Sequence, residues 1–562
     1  MKIIRFLSLV FLLTIISLFS GFVLSSSAQE LLNIRYKPPE ITLENFQQPP
    51  QKVLFPKALD FADVAWKTFV TLNWPANDDG SPLENFVLGQ APLVPRVWQF
   101  YRKPQEVFLP NGENPLLNTL HPFATSFNLD LLKGQGSGLQ KKSDLKENSQ
   151  VAENSQLNLD ENLLKSRAWI KKNIDYNYKC QRKNDSSCDN NEKNNLTAEA
   201  NNFDLTKIPI VAQQGNYIIV EIHLNGNEFN QIVDNEWYNA SKLAEYDDEK
   251  NRFQFKSTTA STDAPIEIKA AWRVFDENSS AEEKARYYTT KRVLAIPAAN
   301  YVCTTDNCRT DDPVLEEVEV GLIGFHIAYK IPEQEFSTPG WIWATFEQVD
   351  NLQVDNPPPK IDLKPTLSNP GCNTNANKEN SDRENCLPNY PYVEWPFLWR
   401  DRSPHAVTRS QDGQIKEQIP TQVQRLPKNT TLSDDVKKSL KQQNENWQEA
   451  FRTVAGNSVW QYYQLVGTQW LQNPRKVTDT PLLPRPSLIS NIRVKQLQPG
   501  PLFNVSMEAY SQTKVNGDSC IACHVTAILP SSSDNSHKVT SDFSFLLERA
   551  KSSSNNLSKE VK

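Results

Sequence analysis

The chain has 562 residues, a formal net charge of −6 at pH 7 and a hydrophobic content of 38%. This length is enough for one large domain with insertions or for two or three domains with sizeable cores. The slightly acidic balance, without any dense Lys/Arg stripe, argues against nucleic-acid binding.

The N-terminus has the pattern of a secretory signal peptide over residues 1–28. Lys2 and Arg5 flank the start of an uncharged stretch, Phe6–Leu24, and small residues lead up to a cleavage site after Ala28. We therefore expect export to the periplasm or another extracytoplasmic space. The alternative is an uncleaved anchor, because the uncharged stretch approaches membrane-spanning length, and only then do we expect the protein to contact a membrane.

Residues 29–490 are predicted to form a large α+β body with a β-rich centre flanked by helices. Apolar residues recur every three or four positions in 58–72, which indicates an amphipathic helix, and alternate with polar ones in 217–224, which indicates a strand. Further strands are predicted at 266–275, 292–296, 318–329 and 341–349, and further helices at 228–237 and at 444–465, the last interrupted near Gly456. Two polar stretches, near 128–204 and 355–389, are interpreted as surface insertions.

Six of the eight cysteines fall into three local groups: Cys180 with Cys188, Cys303 with Cys308, and Cys372 with Cys386. Six cysteines allow many connectivities, and the sequence does not choose between them. Pairing of neighbours is the simplest expectation, because each disulfide would close a short loop in an exported chain. A metal site built from these thiols is disfavoured, since no group has the two-residue spacing typical of zinc sites.

The stretch CIACH, residues 520–524, carries the strongest functional signal. CxxCH is the attachment motif of c-type haem. Residues i, i+3 and i+4 of a helix share one face, so Cys520 and Cys523 can form thioether bonds to the haem vinyl groups while His524 binds the iron. We therefore predict one covalent haem c, bound through Cys520, Cys523 and His524.

Other uses of this motif fit the sequence less well. A thioredoxin-like redox pair would lie in a βαβ unit, and no such unit is evident in the sequence. A zinc site needs a second pair of ligands at suitable spacing, which is absent, and a plain structural disulfide does not require the histidine.

The sequence leaves the sixth ligand of the iron open. Met507 is the one methionine left after signal cleavage, and it precedes the motif. The candidates are Met507, His326, His537 or no protein ligand. Each side chain also has an ordinary explanation: Met507 as packing, His326 as a core histidine and His537 as a solvated surface histidine. His/Met ligation would suit electron transfer, whereas an open position would permit ligand binding or catalysis.

Residues 498–550 are predicted to form a mainly helical, cytochrome c-like haem-binding segment, followed by a disordered tail over 551–562. One helix is expected over 502–512, where apolar side chains would form a wall for the haem edge. Asp518 or Ser519 is expected to cap the helix that carries the motif.

Several segments, taken in order, resemble a family of large bacterial single-haem c-type cytochrome-like proteins. They are WKTFVTLNWPAN (66–77), QQGNYIIVEIHLNGNEFN (213–230), IEIKAAWR (266–273), GFHIAYKIP to WIWATFEQVDN (324–351), YYQLVGTQW (462–470) and SCIACH to SDFSFLLERA (519–550). The resemblance matches the haem site at Cys520, Cys523 and His524 and implies a secreted haem protein, but it indicates no substrate. The family often has a histidine where this chain has Gln348, so no ligand role is carried to that position.

Three functions are compatible with these features. The first, our primary hypothesis, is one-electron transfer to or from a redox partner protein or a small molecule. The second is a haem-dependent oxidoreductase or peroxidase-like enzyme whose large body binds a substrate. The reason is that an electron-transfer protein needs far fewer residues than this chain has before the motif. The third is a sensor that uses haem as its detector. No catalytic residue is assigned.

Overall fold

The computed structural model describes six stretches of the chain, most with short internal gaps: 54–117, 209–303, 314–425, 434–471, 497–498 and 502–552. The predicted signal peptide, the insertion near 128–204 and the tail from residue 553 lie outside the described residues. So do Gly456, Asp518 and His537.

The fold is α+β, as the sequence predicts, and the described strands form two sheets. The strands are β1 (Ile219–Leu224), β2 (Ile266–Val274), β3 (Thr289–Ile296), β4 (Tyr301–Val302), β5 (Val314–Lys330), β6 (Trp341–Gln348), β7 (Leu398–Arg400), β8 (Ala406–Arg409), β9 (Ile415–Glu417), β10 (Tyr463–Leu471) and β11 (Leu497–Gln498). The larger sheet is antiparallel and has the order β1-β2-β5-β6-β10-β11, with β3 also paired to β5. The smaller sheet has the order β4-β7-β8-β9.

Two long helices and several short ones accompany the sheets in the described part of the chain. The α-helices are α1 (Leu54–Leu72), α2 (Pro104–Val107), α3 (Gly226–Asp234), α4 (Ala240–Leu243), α5 (Ala281–Lys284), α6 (Asp434–Thr453) and α7 (Cys520–His524). Short 3-10 helices span Val97–Phe100, Pro115–Leu117, Val349–Asn351, Val459–Tyr462, Ala509–Thr513 and Leu546–Arg549. The helices predicted at 58–72 and 228–237 are therefore confirmed, as are the strands predicted from residue 217 to residue 349.

The helix predicted over 444–465 is only partly right. Its first ten residues belong to α6, which ends at Thr453, but Tyr463 begins β10 and pairs with Gln348 of β6. The Tyr463 hydroxyl donates a hydrogen bond to the carbonyl of Leu322 at 2.9 Å and accepts one from the backbone N–H of Tyr288 at 3.0 Å. These contacts with distant parts of the sheet outweigh the local helical pattern.

Aromatic side chains of α1 and α6 cover one face of the large sheet. Trp66 of α1 stacks on Trp447 of α6 with 5.6 Å between ring centroids, and Phe69 stacks on Phe346 of β6 at 4.3 Å. All four side chains are fully buried. Burial of each large apolar side chain stabilises the fold by about 1.5–3 kcal/mol, so this face is the main core.

The described residues of the C-terminal segment, 502–513, 519–530 and 539–552, lie on the opposite face of the same sheet. Neighbouring residues of a strand point to opposite faces, so Thr345 faces away from the core that contains Phe346. The Asn504 side chain donates a hydrogen bond to the Thr345 hydroxyl at 2.9 Å. The sheet therefore serves as a platform that positions the CIACH stretch.

The segment predicted as a helix over 502–512 consists instead of a turn followed by the 3-10 helix Ala509–Thr513. The Asn504 side chain accepts a hydrogen bond from the backbone N–H of Ser506 at 2.9 Å, and Glu508 accepts one from the backbone N–H of Asn504 at 2.8 Å. Such side-chain bonds to nearby backbone compete with a regular helix and account for the difference.

The structure contains the disulfide Cys372–Cys386, as neighbour pairing predicted. Cys303 is disulfide-bonded as well, while Cys180, Cys188 and Cys308 lie outside the described residues. Among the helices that the structure describes, none combines the length and apolarity needed to cross a bilayer.

Candidate functional site

The CIACH stretch forms α7, a single helical turn that is hydrogen-bonded to β10 of the large sheet. Gln469 of β10 accepts a hydrogen bond from the backbone N–H of Ile521 at 2.9 Å, and its amide nitrogen lies 3.2 Å from the Ser519 hydroxyl. Ser519 occupies the predicted cap position but makes no side-chain cap bond to the helix. Gln469, a strand residue, therefore caps the helix, whereas the sequence predicted that Asp518 or Ser519 would do so.

The two motif cysteines are thiols that do not form a disulfide. Cys520 is buried and its backbone N–H donates to the carbonyl of Leu502 at 3.3 Å, whereas Cys523 is exposed. Burial raises the pKa of the Cys520 thiol well above its usual range, and the negative charge of Glu508 acts in the same direction. One turn of helix thus presents two thiols, of which at least Cys520 is protonated at neutral pH.

His524 has its ring fixed by a hydrogen bond to the backbone. Its Nδ1 lies 2.8 Å from the carbonyl oxygen of Phe543. A carbonyl oxygen can only accept, so Nδ1 carries the hydrogen and Nε2 keeps its lone pair. Burial lowers the pKa of His524 to about 4, although the bond to Phe543 acts in the opposite direction. The imidazole is therefore neutral at pH 7, which is the form that binds a metal.

Two aromatic rings lie next to the His524 imidazole. The Trp343 ring of β6 lies 5.3 Å from it and the Phe545 ring lies 5.2 Å from it, centroid to centroid. Phe543 packs at 6.0 Å against Trp343. This wall comes from β6 and from the stretch after the motif, not from the predicted helix over 502–512.

Three charged or polar side chains form a trio beside the motif: Lys269 of β2, His326 of β5 and Glu508. Glu508 contacts both of the others, with Nε2 of His326 at 3.3 Å and Nζ of Lys269 at 3.5 Å. Burial alone would raise the pKa of Glu508, but His326 and Lys269 outweigh this effect and lower the pKa to about 2. The trio also influences the pKa of His524, so it lies within electrostatic range of the predicted axial ligand.

The two sixth-ligand candidates that the structure describes lie in different surroundings. His326 belongs to the trio, with its Nε2 directed at Glu508 rather than at a backbone group. Met507 packs against the hydrophobic cluster that contains Val505 and Ala509, whereas Cys520 belongs to a separate cluster. His326 therefore acts electrostatically on His524 of the motif, whereas Met507 packs in a different hydrophobic cluster from Cys520.

Sequence reasoning missed the residues that support the motif from a distance. Gln469, Trp343 and the carbonyl of Phe543 contact α7 through folding of the chain, and local spacing does not encode these contacts. One signal was present in the sequence: Gly324 lies within an apolar strand, which is typical of a close approach between backbones.

Three features fit a covalently bound haem. The thiols stand on one helical turn without a disulfide, Nε2 of His524 has no hydrogen-bond partner among the described residues, and two aromatic rings lie next to the imidazole. Within the described residues, no group of three or more His, Cys, Asp or Glu side chains is arranged to hold a bare metal ion. Comparison of the chain with protein-family models, curated proteins and solved structures gave no match.

Proposed function

We propose that this chain is an exported c-type haem protein that transfers single electrons through one haem, bound covalently by Cys520 and Cys523, with His524 as an axial ligand. The observation that carries the proposal is the orientation of His524 within a CxxCH helix. The hydrogen bond from Nδ1 to the Phe543 carbonyl at 2.8 Å leaves Nε2 available for iron. Metal-binding histidines characteristically donate their other N–H to such a group.

When bound, haem supplies a one-electron couple, and the surrounding residues of the chain adjust its potential. Gln469 holds the helix that carries the attachment cysteines. Trp343 and Phe545 pack against the imidazole. The Phe543 carbonyl holds the proton at Nδ1, which makes the imidazole a better donor to a metal.

The proposed location is the periplasm or another extracytoplasmic space. The signal-peptide pattern supports it, and so does the disulfide Cys372–Cys386, because disulfides persist in oxidising compartments. The partner would be a redox protein or a small electron donor or acceptor. The resemblance to large single-haem c-type cytochrome-like proteins supports the same assignment.

A second candidate function, haem-dependent catalysis, is favoured by the trio of Lys269, His326 and Glu508. His326 and Lys269 displace the pKa of Glu508 from its ordinary value, and groups perturbed in this way are characteristic of sites that bind ligands or move protons. If the trio faces an open position on the iron, a small ligand such as peroxide could bind there. Axial coordination therefore separates the two functions.

The test is the visible spectrum of protein matured in a cell that attaches haem c, recorded in the ferrous state with and without carbon monoxide. Electron transfer predicts a six-coordinate, low-spin haem that does not bind carbon monoxide, whereas catalysis predicts that carbon monoxide changes the spectrum. His524→Ala should abolish the native spectrum while haem stays attached after denaturation. Attached haem with an unaltered spectrum in His524→Ala would contradict the assignment of the axial ligand.

A further inference from the structure

The chain adopts an unusual backbone conformation at the point that fixes His524. Asp542 and Phe543 are consecutive and both have positive φ angles, 51° and 69°. Side chains other than glycine rarely adopt this left-handed region, and a bulky residue such as phenylalanine does so least readily. Such a turn persists only where its surroundings hold it in place. This turn directs the Phe543 carbonyl at Nδ1 of His524.

A buried ion pair holds the turn. The Asp542 carboxylate accepts hydrogen bonds from Nζ of Lys330, on β5, and from the backbone N–H of Phe255 at 2.9 Å. Both charged side chains are only 2% exposed. Removing one partner of such a pair leaves an uncompensated buried charge, so the anchor depends on both.

Two further carboxyl groups lie next to this pair. Glu228 of α3 is fully buried, and Glu267 of β2, which pairs with Ala328 two residues before Lys330, lies beside it. The charged groups that face them from other elements are Lys330 and Asp542, and the Ser544 hydroxyl bonds to Glu267. Burial raises the pKa of both groups, that of Glu267 to about 7. Both carboxyl groups are therefore protonated at about pH 6, and Glu267 loses its proton first as the pH rises.

We propose that Lys330 and Asp542 position the axial ligand His524, and that ionisation of Glu267 weakens this positioning. While Glu228 and Glu267 are both protonated, neither carries a charge, and the ammonium group of Lys330 pairs with Asp542. Ionisation of Glu267 adds a negative charge, which competes with Asp542 for this ammonium group. The turn then loses its anchor, and the Phe543 carbonyl no longer holds Nδ1–H.

The test follows the tautomer of His524 by ¹⁵N NMR in haem-free protein labelled at its six histidines, with His524→Gln to assign the signal. At about pH 6 the wild type should show the Nδ1–H tautomer alone, and Asp542→Asn should show a mixture of both tautomers. Asp350→Asn is the matched control, because Asp350 is equally buried and paired with Arg286 at 2.6 Å, away from the motif.

A second arm tests the regulation and does not depend on how Asp542→Asn folds. Between about pH 6 and pH 9 the wild type should change towards the mixture, whereas Glu267→Gln, which mimics the protonated form, should keep one tautomer throughout. An unchanged tautomer in a folded Asp542→Asn protein, or identical titrations of wild type and Glu267→Gln, would overturn the proposal.

The relation to the proposed function is tested separately. In haem-loaded protein, Asp542→Asn should shift the reduction potential, because the bond to Nδ1 tunes the axial ligand, whereas Asp350→Asn should not. If no haem is attached, the proposed function is refuted, but the tautomer experiment still tests whether Lys330 and Asp542 position His524.

Discussion

Gly324 provides a direct test of how the C-terminal segment sits on the sheet. It lies on β5 between Ala271 of β2 and Glu347 of β6, under the turn that contains Asn504 and Ser506. A methyl group added at Gly324 would lie 2.1 Å from the Ser506 hydroxyl oxygen and 3.0 Å from the Asn504 side-chain oxygen. Gly324→Ala should therefore push the segment away from the sheet.

The loss of stability in Gly324→Ala follows from the groups that the added methyl would displace. The Ser506 hydroxyl is bonded to the Asn504 side chain at 2.5 Å, and both residues are almost fully buried, so the hydroxyl cannot turn aside without losing this bond. Overpacking costs about 1–3 kcal/mol and a lost buried hydrogen bond costs about 1 kcal/mol more. We expect Gly324→Ala to lower the free energy of unfolding by about 2–4 kcal/mol.

Urea unfolding, followed by tryptophan fluorescence, measures this loss, and limited proteolysis shows whether cleavage begins in 502–552. Gly467→Ala is the matched control, because its added methyl group would meet only the flexible end of Leu502 at 3.1 Å. The control should lose less than about 1 kcal/mol. Gly324→Ala protein as stable as Gly467→Ala protein would refute the placement of the segment.

Three further predictions concern the motif and its surroundings. Gln469→Ala removes the acceptor for the Ile521 N–H, and it should cost about 1–3 kcal/mol in urea unfolding; an unchanged midpoint would show that this cap is unimportant. His524 has a folded-state pKa of about 4, below its ordinary value, so the haem-free protein should lose up to about 3 kcal/mol as the pH falls from 6.5 to 4. Urea unfolding across this range should show that loss in the wild type and not in His524→Gln. Met507 packs in a separate cluster, so Met507→Ala should leave the visible spectrum unchanged, and a shifted band would make it a ligand.

Much of the fold could be predicted because burial imposes short-range patterns. The alternation in 217–224 and the helical spacing in 58–72 both reflect one buried face, and both elements are present in the structure. Tyr463 shows where this reasoning fails: its neighbourhood is as aromatic as that of α6, but hydrogen bonds to Leu322 and Tyr288 commit it to a strand. Contacts between residues far apart in sequence are not visible in a local pattern.

The candidate site also contains some residues that the sequence predicts and others that it does not. The CIACH spacing is local, so the two cysteines and His524 could be named from sequence alone. The acceptor for Nδ1 of His524 depends on a left-handed turn at Phe543, and the trio around Glu508 depends on the pairing of Lys269 with His326 between β2 and β5. Neither arrangement has a sequence signal, because each arises from strand register and chain reversal.

The central claim is that Cys520 and Cys523 carry haem, and mass spectrometry tests it most directly. The full chain would be matured in cells that attach haem c, denatured, and digested to release the peptide that contains residues 520–524. We predict one porphyrin linked to this peptide through both cysteines, and through one at most in Cys520→Ala or Cys523→Ala. A peptide with two unmodified thiols, or with a disulfide between them, would contradict the assignment.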